Sequence, residues 1–333
     1  MLSALSGCTS MSYLAQATKG QLQLMRSRRP IDSVIADPSS GESLKGRLRL
    51  VQQARDFAVT DLNLPDNASY RSYSDLARPY VVWNVVAAPE FSIAPLHWCF
   101  PFTGCLSYRG YFHESAARKF AAKLSSKGND VLVAGISAYS TLGHFADPVL
   151  NTMLRYGDND MVATIFHELA HQVIYVKGDT QFNESFAMTV EEEGLRRWLA
   201  ARGRSEELKT ILAEHRAEQT IVKAFGDGRQ QLAALYAQSL PIEQKRERKQ
   251  QILKATGDRV LALEHENKLP LYDVWIKAGL NNAHLASIGT YYDCVPGFQR
   301  LLDANGGDLR AFYTAVKNMR RDAAARRALC AAR

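Results

Sequence analysis

Apolar positions recur at helical spacing over most of this chain, but in short dense runs over one stretch before its middle. Leu44, Leu48, Val51, Ala54, Phe57, Ala58 and Leu62 repeat at intervals of three and four, which predicts a helix over Gly41–Asn63. Met11–Arg28 reads as an earlier helix, closed by a break at Pro30–Pro38. Pro65–Asp75 is polar and loop-like. Pro79–Ala88 (PYVVWNVVAA) is β-branched and bounded by prolines, so it predicts a strand. Leu106–Phe112 and Asp130–Ser140 predict two more, with a helix at Ser115–Lys127 between them. From Asn159 onward the pattern is almost entirely helical, with breaks predicted near Gly178, Gly203, Gly226 and Gly257. The charged stretch Pro241–Lys254 reads as an exposed arm of a helical hairpin. The expected class is therefore α+β, mostly helical, with a small mixed sheet followed by a helical C-terminal half. Residues 1–28 are expected to form an N-terminal tether and helix, and 29–330 a single domain. Its sheet-containing part covers about 29–158 and its helical part about 159–330.

One polar cluster interrupts the apolar pattern. Met161–Lys177 has the spacing of a buried helix, with Val162, Ala163, Ile165 and Phe166 before His167-Glu168-Leu169-Ala170-His171, and Val173, Ile174 and Tyr175 after it. Residues four apart lie one turn above each other, so both imidazoles face the same way. Burying two histidines and a glutamate without partners costs several kcal/mol, and a metal ion satisfies all three. Two such histidines suit one Zn2+, with Glu168 as general base on metal-activated water. A catalytic site needs a third protein ligand and leaves the fourth position open. Glu184, in Asn183-Glu184-Ser185-Phe186-Ala187, is the candidate. It opens a second helix, running to about Arg202, after a turn at Lys177-Gly178-Asp179-Thr180 that sets the two helices antiparallel. Small Ala187 lets them approach. Glu191 lies two turns beyond Glu184 on the same face, where it could accept a hydrogen bond from a ligand histidine. Glu192 and Glu193 are expected to point elsewhere, into solvent.

With these residues in view, the chain resembles gluzincin-type metallopeptidases, and more narrowly the bacterial family of predicted zinc aminopeptidases. The resemblance rests on Phe166–Gln172 (FHELAHQ), Tyr175–Asp179 (YVKGD), Phe182–Ala187 (FNESFA), Gly104–Phe112 (GCLSYRGYF), Ala138–Gly143 (AYSTLG) with Asp147-Pro148, and Thr290–Phe298 (TYYDCVPGF). The step from His171 to Glu184 is shorter than in the large zinc aminopeptidases, so their substrate rules do not transfer position by position. The resemblance implies a zincin-like fold, in which an edge strand lies along the cleft. Val131–Tyr139 is the candidate for that strand. It also implies a tyrosine that donates to the oxyanion; Tyr291 is the first choice and Tyr292 the second, with Tyr139 and Tyr108 as rivals. A free substrate amine would call for a carboxylate such as Glu90 or Asp147, and Arg109 could bind a substrate carboxylate. A structural salt bridge is the alternative for each of these three.

The net charge of +7 changes little, because the basic residues are spread through predicted helices beside acids and no nucleic-acid module is present. No nucleic-acid partner is expected; the expected partner is a peptide substrate. The five cysteines lack zinc-finger spacing. Cys99 and Cys105 flank a short loop and read either as a disulfide or as two buried thiols. Leu5-Ser6-Gly7-Cys8 resembles the bacterial lipobox, which implies a lipid anchor at Cys8 and an outer-membrane lipoprotein facing the periplasm. Met1–Leu5 is too short for the preceding signal regions, which implies a start upstream of Met1; if the lipobox is chance, the location is cytoplasmic. The expected activity is that of a zinc metallopeptidase, as an aminopeptidase. The alternatives are a metallo-endopeptidase acting on envelope proteins or peptides, and a non-catalytic zinc-binding protein on the same scaffold.

Overall fold

A computed structural model describes residues 5–100, 104–138, 141–292 and 294–331. The first part of the chain carries α1 (Leu5–Arg26), β1 (Arg29–Pro30), α2 (Ile31–Ala36), α3 (Glu42–Thr60), β2 (Ser72–Ser74), β3 (Val82–Pro89), β4 (Trp98–Phe100), β5 (Gly104–Leu106), β6 (Arg109–Tyr111), α4 (Glu114–Ser125), β7 (Asn129–Ile136) and β8 (Val149–Leu150). The remainder is helical: α5 (Asp158–Ala170), α6 (Thr180–Ala200), α7 (Ser205–Tyr236), α8 (Ile242–Asn267), α9 (Asp273–Ala278), α10 (Asn282–Tyr292), α11 (Val295–Ala304), α12 (Leu309–Asn318) and α13 (Ala323–Ala331). The class is α+β and mostly helical.

The expected small mixed sheet divides into three. The main sheet has the order β6-β3-β7 and is antiparallel throughout. A second, β1-β2-β8, is mixed, and β4 and β5 form a separate hairpin. Strand β3 is apolar except at Asn84 because both of its faces are covered. Trp83, Val85 and Ala87 pack with Ala117 and Leu124 of α4, while Val86 on the other face packs with Leu132 and with Ala283 of α10. Val82 and Asn84 share that second face and look toward α5 and α6. Strand β7 has a strand neighbour on one side only among the described residues, so it is the edge expected for Val131–Tyr139; residues 139 and 140 lie outside the described residues.

The largest core joins α3, α5, α6, α11 and α12 through Phe166, Phe182, Phe186, Trp198, Phe298 and Phe312, all fully buried. Gly194 of α6 sits where a Cβ would stand 2.8 Å from both Leu62 and Phe166 side chains, so a larger residue would wedge α6 away from α5. The breaks expected at Gly226 and Gly257 do not occur: both lie inside the long helices α7 and α8, which pack into a hairpin with its own core around Phe225, Leu232, Leu253 and Val260. A glycine costs a helix about 1 kcal/mol, and this apolar seam outweighs it. The segment assigned to the tether also packs. Gln16 of α1 accepts from Phe112 N–H at 3.2 Å and donates to Gly110 O at 3.5 Å, and Tyr13 contacts Tyr111 with ring centroids 5.5 Å apart.

Candidate metal centre

Helix α5 ends at Ala170, earlier than the periodicity of Met161–Lys177 suggests. The next amides turn to carbonyls three residues back, Gln172 N–H to Leu169 O at 3.0 Å and Val173 N–H to Ala170 O at 2.9 Å. The chain then reverses at Gly178, whose φ of 80° suits a residue without a Cβ. Asn183, almost fully buried, holds this reversal: its Oδ1 accepts from Val176 N–H and its Nδ2 donates to Val176 O, both at 2.8 Å. Asp179 caps α6 by accepting from Phe182 N–H at 3.3 Å. Glu184 is thereby fixed one turn into α6, facing α5.

His171 still lies one turn below His167, with its N–H on His167 O at 3.3 Å. The three expected ligand atoms meet. His167 Nε2 and His171 Nε2 are 3.2 Å apart, and Glu184 Oε2 lies 3.4 Å from the first and 3.5 Å from the second. A tetrahedral ion with bonds of ~2.0–2.1 Å holds its ligand atoms about 3.3–3.4 Å apart. The triangle fits one face of such a tetrahedron without rearrangement. Among the described residues, this is the group of histidine, cysteine and acidic side chains whose ligand atoms gather closely enough for one ion. The donor set of two imidazole nitrogens and a carboxylate matches the same class of ion.

Electrostatics point the same way. Burial raises the Glu184 carboxyl, but the His171 and His167 rings outweigh it and hold the carboxyl well below the usual range. Burial opposes charge on His167, yet the hydrogen bonds to Glu184 and Glu191 dominate and push its pKa well up. Positive charge is therefore favoured at the centre of the triangle. Glu191 Oε2 lies 2.8 Å from His167 Nδ1, the position expected for it. That contact makes Nδ1 the donor and turns the Nε2 lone pair to the triangle. Among the described residues, His171 Nδ1 is buried without a hydrogen-bond partner. Glu168 is 7% exposed and faces the same space, and burial raises its pKa.

The triangle opens into a cavity of about 1050 Å³. Its floor is the face of β6-β3-β7 carrying Gly110, Val82, Asn84 and Ile136, and its walls come from α1, the β4–β5 hairpin and the loop at 141–145. Of the further residues singled out in the sequence, Tyr108 lines this cavity. Tyr291 and Tyr292 close α10, and their side chains lie outside the described residues, as does Tyr139. The backbone beyond α10 reaches α6, where Cys294 N–H donates to Ser185 Oγ at 3.3 Å. Glu90 pairs with Arg246 at 2.6 Å, away from the cavity. Arg109 lies over the rings of Tyr13 and Phe120, 4.1 and 4.7 Å from their centroids. Asp147 is buried and accepts from the Thr141 N–H at 2.8 Å; burial pushes its pKa up to about 6. Glu193 is not solvated: it is 7% exposed and paired with Arg196 and Arg197 at 2.6 and 2.7 Å. Glu192 pairs with His215 at 3.1 Å.

The sequence profile of the family described as Putative aminopeptidase matches residues 12–330. The chain belongs to that family. No curated protein and no solved structure matched it. For this family member the cavity includes residues that periodicity did not mark. Asn84 is the lone polar residue inside PYVVWNVVAA, a signal available in the sequence; His144 and Phe145 carried none.

Proposed function

We propose that this protein is a zinc-dependent aminopeptidase, with His167, His171 and Glu184 as the ligands of one Zn2+ and Glu168 as general base. The observation that carries the reading is the ligand triangle of 3.2, 3.4 and 3.5 Å, opening beside a buried glutamate into a cavity large enough for a peptide end. When bound, zinc supplies Lewis acidity toward the attacking water and the scissile carbonyl. Glu168 takes the water proton on its carboxylate and delivers it to the leaving amine. Glu191 keeps His167 in the ligating tautomer by accepting from Nδ1–H. The oxyanion donor is assigned to Tyr291 or Tyr292, because α10 packs on α6 and the residues after it reach Ser185, next to Glu184. The order of sheet, histidine helix and ligand helix supports a zincin-like, gluzincin-type scaffold. The edge position of β7 supports main-chain pairing with extended substrate.

The disulfides Cys99–Cys105 and Cys294–Cys330 support an oxidising compartment. They favour the bacterial cell envelope, with lipid attachment at Cys8 as the anchor. The test combines metal content with products from a defined peptide library. One zinc per chain and release of single N-terminal residues are expected, whereas internal cuts would make the enzyme an endopeptidase. Glu168→Gln should keep the metal and lose hydrolysis by at least about a hundredfold. Unchanged hydrolysis would remove Glu168 from its role, and absence of bound zinc would remove the metal reading.

A further inference from the structure

The lining of the cavity is uneven. All three of its glutamates, Glu168, Glu184 and Glu191, stand at the ligand triangle. Away from the triangle the walls are mainly apolar, with Phe100, Leu106, Phe112, Ile136, Leu142 and Phe145 among them, and with Asn84, Ser137 and His144 as polar members. Although the chain has 41 lysines and arginines and a net charge of +7, none of them is among the described residues lining this space. Two features show that the apolar wall is specifically built. Phe145 is 51% exposed and lines the cavity, so its ring adds apolar surface open to an occupant. Leu142 holds φ at 58°, a conformation that glycine or asparagine adopts more readily, and Thr141 is tied to Asp147 by its N–H and Oγ at 2.8 and 2.9 Å. The loop is thus pinned in a strained form that sets Leu142 and Phe145 on the wall.

We infer that the site selects peptides with a free N-terminal amine and a large apolar N-terminal side chain. This rests on the aminopeptidase reading and names its substrate class. The acidic end, next to the triangle, suits an ammonium group. The apolar end offers a leucine or phenylalanine side chain an environment away from water. Among the described residues at that end, His144 is the basic group an aspartate or glutamate side chain could meet, and no carboxylate faces a lysine or arginine side chain, so charged side chains are poorly compensated for the water they lose.

The test uses zinc-loaded protein and aminoacyl p-nitroanilides of Leu, Phe, Ala, Lys and Glu. Leu and Phe should exceed Ala in kcat/KM by about tenfold or more, and Glu by about a hundredfold. Equal rates, or a preference for charged residues, would overturn the inference while leaving the peptidase reading intact. If nothing is hydrolysed, the aminopeptidase reading fails and calorimetry decides the cavity on its own. Leucinamide and phenylalaninamide binding about tenfold tighter than alaninamide would uphold it, and equal binding would overturn it. Two substitutions at the exposed wall position make the assignment local. Phe145→Ala should lower the Leu-to-Ala ratio about threefold to tenfold, and Phe145→Lys should raise Glu relative to Leu about tenfold. Unchanged ratios in both variants would overturn the role of the 141–147 loop.

Discussion

His167 places one ring nitrogen at the ligand triangle and the other 2.8 Å from Glu191. Its chemistry is set by that second contact as much as by the first. Glu191→Ala should lower zinc affinity by about ten- to a hundredfold, read by competition with a chelator, because the ring loses both orientation and basicity. Glu184→Ala removes a ligand and should abolish stoichiometric zinc in metal analysis. Both glutamates were legible in the sequence, since positions seven apart on one helix share a face. A different residue contributes to acid stability. His284 is 7% exposed, and burial lowers its pKa from 6.5 to about 4. The unfolded chain therefore takes up a proton there before the folded one does. The stability this gives is present above pH 6.5 and is lost as pH falls toward 4, on the order of 3 kcal/mol. Because Asp147, raised to about 6, acts in the opposite direction, the measurement is the difference in urea unfolding between wild type and His284→Gln, which should change by that amount across the window.

The turn between α5 and α6 decides whether Glu184 reaches the histidines, and three elements secure it. Asn183 closes it from within. Arg326 of α13 pairs with the capping Asp179 at 2.8 Å, and the Cys294–Cys330 disulfide ties α13 to the start of α11, beside Ser185. Cys330→Ser should destabilise the fold by roughly 3–4 kcal/mol, from the 36-residue separation that the bridge spans. It should also weaken zinc binding, because the Asp179 anchor loosens. Denaturant unfolding and chelator competition on the same variant separate the two effects. At this scale the sequence was a partial guide. The helices α3 and α4, the strands β3 and β7 and the reversal at Gly178 follow from periodicity and turn chemistry. The end of α5 did not, because the buried Asn183 side chain bonds both main-chain groups of Val176, an interaction that no apolar pattern records. Gly257 misled for a similar reason: a Cβ there would stand 3.0 Å from Ile276, so the residue marks a close contact and not a helix end.

The α7–α8 hairpin joins the rest of the molecule through a buried ion pair. Lys249 of α8, 4% exposed, donates to Asp130 of β7 at 2.7 Å and to Glu90 O at 2.9 Å. Asp130 also accepts from Asn282 N–H, at the start of α10, at 2.8 Å. Lys249→Ala leaves a desolvated carboxylate and should cost about 3–5 kcal/mol in urea unfolding. The sequence by itself fixed the placement of His167, Glu168 and His171 on one helix turn, and of Glu184 and Glu191 on one face of the next, because helical periodicity is a local property of the backbone. The tertiary structure alone decided the cavity, the disulfide partners and the place of the N-terminal helix. Tyr13, Val82, Phe100, Ile136 and Phe145 line one space with His167 although far apart in the chain. Cys294 finds Cys330 across α11, α12 and α13. Such contacts depend on which apolar faces bury one another, and burial is non-directional: the pattern shows that a face must be covered, and only the folded chain shows by what.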